Sequence, residues 1–100
     1  MYRHALFWKL KNPPAGVTKD DYIDTLTDLV YGIKDKIDVI RAIEVGRNRA
    51  QVPNACDMIV LMDFDSWEDL LTFVAHPEHR KLGDSVAEYK DVSYVVDYER

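Results

Sequence analysis

The sequence predicts an α+β domain in which four antiparallel strands make one sheet and the helices pack together on one of its faces. Three observations carry that reading. Residues 2–11 (YRHALFWKLK) and 58–64 (MIVLMDF) are apolar runs of strand length, Tyr22, Ile23, Leu26, Leu29, Val30 and Ile33 recur at helical spacing, and residues 65–86 read as a helix broken by Pro77. The chain of 100 residues, 47% hydrophobic, suffices for a single domain spanning residues 1–100 with one core.

In the first strand His4, Leu6, Trp8 and Leu10 share one face, while Ala5 and Phe7 share the other. Asn12-Pro13-Pro14-Ala15-Gly16 is loop chemistry. Thr18 follows as an N-cap, with Asp21 three residues on and Val17 and Tyr22 placed for a hydrophobic staple, so a helix is expected over 19–34. Residues 40–48 alternate as a strand, in which Gly46 marks a bulge or a close approach of something to the backbone. After an aperiodic loop comes 58–64, a strand expected to be buried on both faces.

Ser66 has the side chain to cap a helix over 67–75, with Leu70, Leu71, Phe73 and Val74 as its apolar stripe. Pro77 lacks an N–H and disfavours helical dihedrals at His76, so that helix should stop and a second should start with Pro77 in its first turn. A last strand is expected over 92–98. The order strand, helix, strand, strand, broken helix, strand suits a ferredoxin-like βαββαβ sheet. Two helical elements cover one face only. Strands this apolar would leave a patch larger than roughly 300–600 Å² on the other, which a second protomer most simply covers.

A net charge of −5 without a cluster of Lys and Arg argues against nucleic acid or an anionic membrane surface as partner. The single cysteine, Cys56, permits no intrachain disulfide, and no long apolar segment or signal-peptide pattern is present, so a cytoplasmic location is expected. The three histidines carry the candidate chemistry. His79, one turn into the second helix after the break, has the side chain of a general base working near neutral pH, or packs locally. His76 reads as a cap. No Cys, His or carboxylate spacing matches a metal site, and no cofactor is expected.

Arg3-His4, Ile43-Glu44-Val45-Gly46, Phe64-Asp65-Ser66, His76-Pro77-Glu78-His79 and Val96-Asp97-Tyr98, taken together and in this order, resemble the stress-responsive dimeric α/β barrel (Dabb) family. The resemblance implies a ferredoxin-like fold whose sheets pair face to face in a homodimer. It is shared by a plant polyketide cyclase, which closes a ring in a pocket between sheet and helices. The cyclase base corresponds to His79, in a stretch ending Gly83-Asp84, and a pocket histidine corresponds to His4. Its catalytic tyrosine falls at Phe73 and a further pocket histidine at Met58, so any reaction here should differ.

By this resemblance Leu6, Trp8, Tyr22, Ile23, Leu26, Met58, Phe73, Leu82 and Gly83 are candidate ligand contacts, although several are equally ordinary core positions. Backbone carbonyls around residues 30–36 could hold a Mg²⁺ ion in such a fold. Two functional classes follow: a small apolar-ligand binder or proton-transfer enzyme using His79 and His4, or a non-catalytic stress or assembly protein whose dimer is the working unit.

Overall fold

The computed structural model describes residues Met1–Arg100. Its elements are β1 (Tyr2–Leu10), α1 (Lys19–Gly32), β2 (Ala42–Arg47), β3 (Met58–Phe64), α2 (Trp67–Ala75), α3 (Pro77–Ala87) and β4 (Lys90–Glu99). The strands form one antiparallel sheet in the order β2-β3-β1-β4. This is the ferredoxin-like βαββαβ arrangement expected from the element order, with the last helical element split in two. No helix is long and apolar enough to cross a membrane.

Local chemistry sets the element ends. At α1 the Thr18 hydroxyl accepts from the Asp21 N–H at 3.0 Å and the Asp21 carboxylate accepts from the Thr18 N–H at 2.9 Å, a reciprocal box that satisfies two otherwise orphaned donors. The helix ends at Gly32, two residues short of the expected limit. The following turns instead drive Ile33, Ile37 and Ile40 into the core, so β2 begins at Ala42 and not at Ile40. Asn48 closes β2, its side chain bonding both the N–H and the carbonyl of Ala50.

Pairing fixes which residues share a face. On β1, His4 lies opposite Met62 and Asp97, Leu6 opposite Val60 and Val95, and Trp8 opposite Met58 and Ser93. These point to the helix side, where Trp8, Val60, Met62 and Phe64 join Leu26, Val30, Leu70, Phe73 and Val86 in one buried core. Leu70 and Phe73 supply the inward face of α2, whereas Leu71 and Val74 remain 48% and 42% exposed. Four apolar residues at 70, 71, 73 and 74 span two adjacent rows of a helix, and only one row meets the sheet.

The other sheet face has no helix. Ala5 and Phe7 of β1, Ile59 and Leu61 of β3, and Val92, Tyr94, Val96 and Tyr98 of β4 lie on it. The expectation that 58–64 is buried on both faces therefore fails for the single chain: Ile59 and Leu61 are only half-buried, and Tyr94 is 56% exposed. Gly46 also belongs here. A Cβ on it would come within 2.8 Å of the Ile59 Cγ2, so the glycine marks a close approach; the β2–β3 register runs past it without a bulge.

At one end of this open face Arg3 and Asp63 are cross-strand partners. The Arg3 Nε donates to one Asp63 oxygen at 2.8 Å, while its Nη2 and the Arg100 Nη1 donate to the other at 3.1 and 3.2 Å. The Arg3 hydrogen bond, more than the charges of Arg3 and Arg100, holds the Asp63 carboxyl below the usual carboxylate range, against the opposing effect of burial. A depressed carboxyl pKa stabilises the fold fully above about pH 4 and loses that contribution as pH falls through the folded-state value. We predict that Asp63→Asn lowers stability at neutral pH but flattens its decline below about pH 4, read from urea midpoints between about pH 2 and 7. An acid slope equal to wild type would contradict it.

Candidate functional site

The site is built around the break between α2 and α3. The Ser66 hydroxyl accepts from the Asp69 N–H at 3.1 Å and starts α2. At the other end His76 takes an extended conformation, φ −70° and ψ 138°, because Pro77 follows it. Its Nδ1 accepts from the Glu78 N–H at 3.0 Å, so the His76 ring is the N-cap of α3. His76 is thereby occupied in structure.

The break exposes the Val74 carbonyl to the His79 ring, whose Nδ1 lies 2.9 Å from it. A carbonyl only accepts, so Nδ1 carries the proton and Nε2 of the neutral ring is left with its lone pair. The same ring packs on Phe73 with centroids 4.5 Å apart. Phe73 in turn meets His4 edge-on at 5.4 Å. One buried phenyl ring thus lies between two imidazoles.

His4 is buried, and its Nδ1 is hydrogen-bonded to the Asp97 carboxylate directly opposite it on β4. Its Nε2 is buried with no protein partner. An unsatisfied buried polar atom typically costs about 1–3 kcal/mol, and such atoms are rare enough in folded proteins that each calls for an explanation. The carboxylate fixes the ring's orientation and tautomer, as acidic partners of histidine do elsewhere. Asp97 is a residue of the site that spacing could not reveal: 93 positions separate it from His4, and only the β1–β4 register joins them.

Beside these groups a cavity of about 260 Å³ opens between sheet and helices. Of the expected contacts, Leu6, Trp8, Phe73, His79, Leu82 and Gly83 line it, together with Val30, Val60, Met62, Val86, Lys90 and Ser93. The remaining four do not. Ile23 and Leu26 are sealed in the core beneath α1, Tyr22 packs edge-on against Tyr89 with centroids 4.9 Å apart, and Met58 is buried across from Trp8. The α1 residues fail because the helix sits flush on its part of the sheet; only Val30, further along it, reaches the cavity. His4 touches the wall through Phe73 and is not itself a lining residue.

In the segment over 30–36 the carbonyls of Val30, Tyr31 and Ile33 accept backbone N–H groups. No three His, Cys, Asp or Glu side chains gather as a metal site.

A family model described as "Stress responsive A/B Barrel Domain" matches residues 2–100. The chain belongs to this family. No curated protein matches it. Among solved structures it is similar to a dimeric protein of unknown function and ferredoxin-like fold from Bacteroides fragilis, at 29% identity and TM-score 0.81, covering 99% of this chain and 95% of that one. It is also similar to a protein from Arabidopsis thaliana, at 22% identity and TM-score 0.85, covering 100% and 95%. A hydroxynitrile lyase from Passiflora edulis shares the fold at 15% identity and TM-score 0.79, covering 97% and 90%.

In this member of the stress-responsive barrel family the position of His79 is expected to depend on Pro77. Replacing Pro77 with Ala restores an N–H and removes the restriction on His76, so α2 and α3 should merge and a backbone N–H should claim the Val74 carbonyl. The His79 ring then loses its partner. Nitrogen chemical shifts of the imidazole should report a mixed tautomer in Pro77→Ala where wild type shows the Nδ1–H form. A variant that keeps the bend and the Nδ1–H tautomer would show that tertiary packing makes the break.

Proposed function

We propose that this protein is a homodimer whose protomers each bind a small apolar carbonyl compound in the cavity, with His79 as general base. The observation that carries this is the His79 ring on the wall of an apolar cavity, its tautomer set by the Val74 carbonyl so that Nε2 faces no competing proton. A base so held can take a proton from carbon next to a carbonyl. The negative charge then growing on the carbonyl oxygen needs a donor, and Phe73 offers none. Of the lining residues, Ser93 and Lys90 carry the donor groups, while His4 stands behind Phe73 and supports the wall through its contact with that ring.

The uncovered sheet face supports the dimer, as do the dimeric relative from Bacteroides fragilis and the family's barrel architecture. A partner sheet would remove Phe7, Ile59, Leu61 and Tyr94 from water together. Interfaces of this obligate kind bury on the order of 2,000 Å² or more in total. Phe73, which lacks a hydroxyl, favours as second reading a dimer that binds its ligand without turning it over.

Thermal-shift screening against apolar aldehydes and ketones tests binding first, because a ligand for the native state raises stability by RT ln(1 + [L]/Kd). On a substrate so found, His79→Ala should lower kcat by about 10²–10⁴-fold, with circular dichroism and sedimentation unchanged. Wild-type turnover in His79→Ala would remove His79 as the base; a carbonyl compound that binds and is left unchanged by the wild type would replace the catalytic reading with the second. Failure of every carbonyl compound to shift the wild type would remove both ligand readings.

A further inference from the structure

We propose that the ligand of this cavity is an amphipathic monocarboxylate, held by its carboxylate at Lys90 and Ser93 while its apolar body runs along β1 toward His79. The inference rests on the cavity being a ligand site, as argued above, and adds the chemistry of what enters it. Eight of the lining residues are apolar, and Lys90 is the only lining residue with a formal charge. Lys90 is half-buried and its ammonium makes no hydrogen bond or ion pair within the chain. In a protein with 18 acidic against 13 basic residues, a sheltered lysine without a carboxylate is a site left for one.

The placement is a product of backbone register. From Trp8 opposite Ser93 and Lys9 opposite Val92, strict alternation would pair Leu10 with Asp91 and turn that carboxylate to the helix side. A register shift between Lys9 and Leu10 pairs Leu10 with Lys90 instead and leaves Asp91 as the extra residue, exposed. One bulge therefore replaces an anion by a cation at the cavity, a use to which bulges beside sites are often put. Ser93, on the same side of β4 and with a hydroxyl free of other bonds, adds a neutral donor to the same cavity lining.

The ends of the cavity are then chemically distinct. Lys90 and Ser93 stand opposite Leu10 and Trp8, whereas Phe73, which carries the His79 ring, contacts His4 at the other end of β1. Of β1, Trp8 and Leu6 line the cavity, two residues and so roughly 7 Å apart along the strand, with Leu6 the nearer to His4. A carboxylate fixed at one end directs the body of the molecule toward the base at the other. With about 260 Å³ of space, a medium chain or one aromatic ring fits.

The test is calorimetric titration of the intact wild type with two matched pairs, octanoate against octanamide and 3-phenylpropanoate against 3-phenylpropanamide. At least one acid should bind roughly 10- to 100-fold more tightly than its amide, the value of a charge-assisted hydrogen bond. Lys90→Met, which keeps the apolar stem, should lose that preference and keep the amide affinity; Lys90→Arg should retain the preference. Amide binding equal to or tighter than acid binding in the wild type overturns the carboxylate assignment and leaves the cavity reading standing. An acid preference that survives Lys90→Met overturns the role of Lys90. No binding of any of the four compounds, with Trp8 fluorescence and amide shifts unmoved, overturns both. Should Lys90→Met fail to fold, Lys90→Gln serves in its place.

Discussion

A four-stranded sheet has two faces, and this chain carries helices for only one of them. The rest of the structure follows from that imbalance. β1 and β3 are central and apolar on both sides, so burying Trp8, Met62 and Phe64 under helices leaves Phe7, Ile59 and Leu61 facing outward. At about 25 cal/mol per Å² of apolar area, such a face is too favourable a binding surface to remain in water. The helix side is thereby free to carry a cavity, since stability need not come from packing that side to the limit.

On the helix side the decisive element is the interruption at His76 and Pro77. A continuous helix would use the Val74 carbonyl in its own ladder, and no ring could reach it. The break releases that carbonyl, brings His79 back over Phe73, and starts α3 along the cavity wall. Phe73 ties the parts together, touching His4, Phe64 and His79 while fully buried. Its substitution by Ala would typically cost about 3–5 kcal/mol, so the pocket wall is also part of the core.

Much of this was legible in the residues because the controlling interactions are local. The limits of β3 and α2 match the reading of 58–64 and 67–75, since an apolar run, a Ser cap and a proline act within a few positions. The outward turn of Leu71 and Val74 was not legible, because periodicity gives the rows of a helix and not the one the sheet selects. Nor was Asp97 beside His4, a pairing set by strand register across almost the whole chain. The Val74 carbonyl left no mark at all, being backbone. Lys90 is the clearest case: alternation counted along β4 puts Asp91 at the cavity, and a single bulge reverses the charge.

The central claim, that one sheet face closes a cavity while the other is completed by a second copy, is most directly tested by sedimentation equilibrium of the wild type from nanomolar to micromolar concentration. A two-chain species at micromolar concentration, dissociating only with loss of the sheet signal in circular dichroism, is the predicted result. A folded single chain of 11.6 kDa throughout that range would contradict it.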